Sequence, residues 1–115
     1  MKTIDPAISV MKPNAFLHLI DQERARVNRN GSQFTLVLLQ LSNGSVRNRE
    51  VHTDVLNTIM ERIRTIDRLG YYDDDHIGLL LPQTGRDGAT RIIDDLWCNE
   101  KVTANISSYR LYCYP

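Results

Sequence analysis

The chain has 115 residues, 42% of them hydrophobic and 24% charged, which suits one globular domain with a single core rather than a disordered segment. Fourteen basic residues offset fourteen acidic ones, so no net field favours nucleic acid or an anionic membrane as partner. No window approaches the roughly 18 apolar residues that span a bilayer, and the opening MKTIDPAISVMKPNAF lacks a signal-peptide core. A cytoplasmic domain that does not itself insert into a membrane is therefore expected. Cys98 and Cys113 are too few for a disulfide framework and lie in no metal-ligand spacing. They are read as buried free thiols.

In chain order, residues 14–29 place Phe16, Leu19, Ile20, Glu23 and Val27 at helical spacing, with Asn14 as N-cap and Asn30-Gly31 as the stop. FTLVLLQL, residues 34–41, is short and apolar on both faces, as a central strand covered on each side would be. SNGSVRNRE is polar and turn-like. Val51, Val55, Leu56, Ile59, Ile63 and Ile66 then mark an amphipathic helix to about Ile66. RLGYY and HIGLLLP read as two strands of a hairpin that Pro82 ends. Thr84 or Asp87 is expected to cap a helix carrying Ala89, Ile92, Ile93 and Leu96, and ISSYRLYCYP supplies a last strand. The order is a helix followed by β-α-β-β-α-β. That is an α/β (α+β) domain built on split βαβ units, with the extra helix free to cover the face the crossover helices leave open.

Chemistry concentrates at two places. The hairpin tip carries Asp73, Asp74, Asp75 and His76. Adjacent carboxylates repel one another and a divalent cation would relieve this, but the end of the first strand offers Gln40 and Ser42 and no second acid. A solvated turn is the reading the residues favour, with no metal and no cofactor. His76 is a candidate general base by residue type, yet no serine, cysteine or second histidine is placed to form a triad with it. The second place is Arg64 and Asp67, one helical turn apart. Such a pair can hold a guanine edge on the carboxylate and a phosphate on the guanidinium. The residues by themselves favour an ordinary surface ion pair worth about 0–1 kcal/mol.

Three stretches resemble the GGDEF domain of diguanylate cyclases, in degenerate form. DPAISVMKPNAFL keeps Asp5, Pro6, Val10 and Phe16 of the family's opening pattern. FTLVLLQLSN lies where the family has a strand ending in D-x-D. DRLGYYDDDHIGLLLPQT lies where it has its signature hairpin, with Asp73, Asp74, Asp75, His76 and Ile77 in place of G-G-D-E-F. The resemblance implies a nucleotide-cyclase-like βαββαβ sheet core with a leading helix. It also implies that cyclase activity is lost. Gln40 stands at the position of a metal-binding acid, aspartates replace both signature glycines, and only Asp75 keeps the signature's metal-binding acid. SNGSVRNREVHTD is shorter than the family's guanine loop and lacks its motifs.

RTID, Arg64 to Asp67, falls nine residues before the signature, at the offset of the family's R-x-x-D product-inhibition site. This implies a cyclic di-GMP receptor as one alternative; a residual Mg²⁺-dependent nucleotide enzyme using Asp75 and His76 is another. The hairpin together with the terminal YRLYCYP also resembles the GGDEF-like domain of bacterial sugar transferases, which load a sugar phosphate onto a polyprenyl phosphate carrier. That resemblance implies an excised regulatory or interaction domain of an exopolysaccharide or glycan synthesis enzyme. Its partners would be an attached glycosyltransferase domain or a second copy of itself, with the membrane part lying beyond Pro115.

Overall fold

The computed structural model describes residues 11–42 and 49–115, and for residues 49–51 the backbone alone. The stretch that carries Asp5, Pro6 and Val10, and most of the shortened loop after the first strand, lie outside the described residues.

Helix α1 (Pro13–Asn30) starts with proline at its first turn, where the missing N–H costs nothing. Lys12, not Asn14, is the N-cap, and no side chain caps the helix. Phe16, Ile20, Glu23 and Val27 form its buried stripe. The helix stops at Gly31, which adopts φ 71° and donates its N–H to the Val27 carbonyl at 2.8 Å.

Strand β1 (Phe34–Leu41) follows, then helix α2 (Arg49–Arg62), β2 (Arg68–Tyr71), β3 (His76–Pro82), helix α3 (Arg86–Trp97), a short helix α4 (Glu100–Asn105) and β4 (Ile106–Tyr114). The sheet order is β2-β3-β1-β4. β1 runs antiparallel to both neighbours, and β2 is antiparallel to β3. Each crossover therefore straddles one strand: β3 inserts between β1 and β2, and β1 inserts between β3 and β4. This interleaving is the split βαβ arrangement expected above.

Alternation along the strands divides the core. Val37, Leu39, Leu41, Ile77, Leu79 and Leu81 pack against Val55, Leu56 and Ile59 of α2, Ile92, Ile93 and Leu96 of α3, and Val102 of α4. On the opposite face Phe34 and Leu80 pack against Phe16, Ile20 and Val27 of α1, with Leu36 and Tyr114 at the margin. Helix α1 thus covers the face that α2 and α3 leave open.

Four expectations change. α2 ends at Arg62, so Ile63 and Ile66 lie beyond it, and Ile66 is 47% exposed. The physical reason is Asp67, whose Oδ2 accepts the Arg64 N–H at 2.8 Å while its own N–H donates to the Arg64 carbonyl at 3.0 Å, closing a turn. The N-cap of α3 is Gly85, without a side-chain bond, because the Thr84 hydroxyl is turned to the Pro82 carbonyl. Helix α4 was not anticipated; Asn99 caps it by accepting the Lys101 N–H. Cys98 and Cys113 are exposed rather than buried, since one ends α3 and the other lies on the sheet's margin.

Candidate functional site

The acidic tip is a tied turn. Tyr72 N–H donates to the His76 carbonyl at 3.0 Å, continuing the β2–β3 ladder into the loop. Oδ1 of Asp73 accepts the Asp75 N–H at 2.8 Å and lies 2.8 Å from Nδ1 of His76. Partial burial would raise the Asp73 pKa, but the bonds from His76 and from the Asp75 backbone outweigh it and hold the carboxyl below its usual value. Asp74 and Asp75 are exposed. Ile77 is fully buried and faces the core opposite Leu39 and Tyr71.

Gln40, near the end of β1, pairs directly with His76 on one side and Ser108 on the other. The Ser108 hydroxyl donates to the Gln40 side-chain carbonyl at 3.1 Å, and the Leu41 N–H donates to the Asp75 carbonyl at 2.8 Å. These residues, with Leu38, Tyr109 and Arg110, line a depression of 260 Å³ on the part of the sheet that α1 does not reach. The end of β1 beside the tip thus offers an amide and, from β4, a hydroxyl. Among the described residues, no group of three or more His, Cys, Asp or Glu side chains is arranged to hold a metal ion.

Arg64 and Asp67 sit elsewhere, at the far end of β3 from the tip. The Asp67 side chain is 0% exposed and that of Arg64 is 45%. Nε of Arg64 donates to Oδ2 of Asp67 at 3.2 Å, and Nη2 donates to Oδ1 at 2.8 Å. Nη2 also reaches the Pro82 carbonyl at 3.1 Å and the Thr84 hydroxyl at 2.6 Å. Both carboxylate oxygens are therefore occupied from within the chain, and the guanidinium ties the end of α2 to the end of β3. The fork binds the chain to itself.

Ser108, Arg110 and Thr84 join these clusters without any signal in the sequence. Topology alone carries β4 next to Gln40, and Thr84 was weighed only as a helix cap.

No protein-family model matches the chain, and no curated protein matches it. Solved structures do. A DGC protein from Thermotoga maritima aligns over 96% of this chain and 86% of its own, with TM-score 0.80 at 20% identity. The GGDEF domain of YfiN (TpbB) from Pseudomonas aeruginosa aligns over 93% and 78%, with TM-score 0.74 at 15% identity. The fold is that of a GGDEF domain. A further GGDEF domain, that of DgcB from Caulobacter crescentus in complex with c-di-GMP, aligns over 90% and 68%, with TM-score 0.69 at 11% identity. No described helix is long and apolar enough to cross a membrane.

Proposed function

We propose that the chain is a catalytically inactive GGDEF-like domain that regulates or scaffolds an attached enzyme. The observation that carries this reading is the pairing of Gln40 with His76. Holding a cation against a triphosphate calls for acids from more than one chain segment, and this pairing sets Gln40 rather than an acid beside the strand that follows Asp75. Here an amide that already accepts a bond from Ser108 faces a histidine held by Asp73. Asp73 and Asp74 add side chains and negative charge where a triphosphate would have to approach the backbone. The enzyme served is a bacterial sugar transferase of exopolysaccharide or glycan synthesis, a reading that rests on the variant hairpin and the terminal YRLYCYP.

The test is incubation with GTP and Mg²⁺ followed by chromatography of the products. No cyclic dinucleotide is expected, and any enzyme-dependent synthesis of one overturns the reading.

A receptor role is the second reading, supported by the c-di-GMP complex of the Caulobacter domain. At Arg64 and Asp67 it would require the buried carboxylate to give up two guanidinium bonds and turn outward. Titration calorimetry with cyclic di-GMP decides it. We expect no heat at high micromolar ligand; saturable heat that Arg64→Ala removes would establish the receptor.

A further inference from the structure

β4 is an edge strand. β1 pairs with one side of it, and among the described residues no strand pairs with the other. Natural sheets usually defend such an edge with lysines, prolines, bulges or inward charges. Between Ile106 and Tyr114 there is no lysine and no proline, and Arg110 is the one charged residue. The single irregularity is at Ser107, where the register against Gln40 and Leu41 shifts, and residues 108–114 run regularly. Tyr109 and Tyr112 are 39% and 46% exposed. This is an undefended, aromatic-rich edge.

We infer that this edge pairs antiparallel with the same edge of a second copy, about a two-fold axis through Leu111. In a ladder, outward-directed backbone groups recur at every second residue. A two-fold axis must therefore pass through a residue, since an axis between residues would set outward groups against inward ones. An axis through Arg110 places two guanidiniums opposite each other, which is unfavourable. One through Tyr109 draws the irregular Ser107 into the ladder, and one through Tyr112 shortens it to residues 110–114. The axis through Leu111 pairs residues 108–114 in full.

That register also keeps the two Arg110 side chains apart. Leu111 meets its own copy at the centre. Each Arg110 lies opposite a Tyr112 ring on the α1 side of the sheet, where a cation gains from the aromatic quadrupole. Among the described residues Arg110 has no ion pair or hydrogen bond through its guanidinium, so pairing releases none. On the α2–α3 face Tyr109 lies opposite Cys113, and Trp97 braces Tyr109 edge-on at 5.1 Å between ring centroids. The two four-stranded sheets then become one continuous sheet, joined by an isologous interface. This gives the interaction module a defined partner surface. It rests on that functional reading only for its purpose.

The register itself can be tested by cross-linking. In a Cys98→Ser background, Tyr109→Cys puts a thiol opposite Cys113 of the second copy. Within one chain the two positions are roughly 13 Å apart along the strand, too far for an intramolecular disulfide. We expect a disulfide-linked dimer on mild oxidation, and none from Cys98→Ser alone or with Ser108→Cys. Sedimentation velocity of the unmodified chain should show a concentration-dependent dimer, and Arg110→Glu should weaken it on the order of tenfold with an unchanged circular dichroism spectrum. A monomer at 100 µM overturns the inference, as does a dimer that survives Arg110→Glu or that cross-links equally through Ser108→Cys. Synthesis of a cyclic dinucleotide would overturn the regulatory reading while leaving the cross-link in place, so the two failures are distinguishable.

Discussion

The ring of Phe16 occupies the space that a side chain at Gly78 would need. A methyl group built there would sit 2.3 Å from Cε2 of the ring, and one at Gly70, the partner of Gly78 in the ladder, would sit 2.4 Å from Cδ1. The two glycines let α1 lie close on the hairpin. Gly78→Ala is expected to destabilise the fold by about 1–3 kcal/mol through overpacking, and Phe16→Ala by about 3–5 kcal/mol through the cavity it leaves. Urea denaturation measures both. A neutral Gly78→Ala would show that the helix shifts freely.

Arg64 and Asp67 should behave as a structural pair. Arg64→Ala strands a carboxylate with no exposure, whereas Asp67→Ala strands a guanidinium that still meets water. The arginine variant is therefore expected to lose more stability, on the order of 3 kcal/mol, and the aspartate variant about 2 kcal/mol. The double variant should be more stable than Arg64→Ala alone, giving a coupling energy in a double-mutant cycle. Additive, near-zero effects would return the pair to the status of a free surface site.

Glu23 lies on the buried stripe of α1, where its Oε2 has no hydrogen-bond partner among the described residues. Its other oxygen meets Arg26 only at 3.6 Å. An unmatched carboxylate in that position opposes folding. Glu23→Met keeps the volume and removes the polar atoms, so thermal denaturation should show a gain of about 1 kcal/mol. A loss would reveal a bonding role for the carboxylate.

The Asp73 carboxyl has a depressed pKa in the fold. A group depressed on folding adds stability that is complete above its unfolded pKa and is lost as pH falls through the folded one. The melting-temperature difference between the wild type and Asp73→Asn should therefore favour the wild type at pH 6 and shrink as the pH falls below about 4. A difference constant across that range would show that the turn bonds do not discriminate the charged form.

Gln40→Asp places an acid near the end of β1, beside the Asp75 carbonyl that bonds Leu41. The variant is expected to gain a melting-temperature increase in millimolar Mn²⁺ or Mg²⁺ that the wild type lacks, since a ligand held by the native state alone stabilises it by mass action. It should still make no cyclic dinucleotide if the proposed inactivity holds, because the Asp73 and Asp74 carboxylates remain at the tip. Equal metal response in both proteins would place cation binding elsewhere.

The element order was readable because the apolar periods are clean. HIGLLLP is buried on both faces, FTLVLLQL fully on one and partly on the other, and Ala89, Ile92, Ile93 and Leu96 mark one helical stripe. Boundaries were less readable where a side chain competes with the helix. The pattern through Ile63 and Ile66 continued a periodicity that Asp67 breaks by capturing the Arg64 N–H. The hairpin tip was legible as a solvated turn, yet nothing local disclosed that Asp73 would bond both Asp75 and His76. The neighbours of Gln40 were invisible for a different reason. Ser108 and Arg110 reach it only through a crossover connection, and one-dimensional spacing carries no record of which strand lies beside which.

The central strand has a consequence for synthesis on the ribosome. β1 emerges early, but both of its ladder partners, residues 76–82 and 106–114, are translated later. Its two edges therefore stay unpaired until nearly the whole domain has left the exit tunnel. Pairings between such distant segments form slowly, and a half-made β1 is a sticky ribbon in the meantime. Nascent chains stalled before residue 106 should recruit holdase chaperones through the exposed Val37 and Leu39, and release beyond Pro115 should end that dependence.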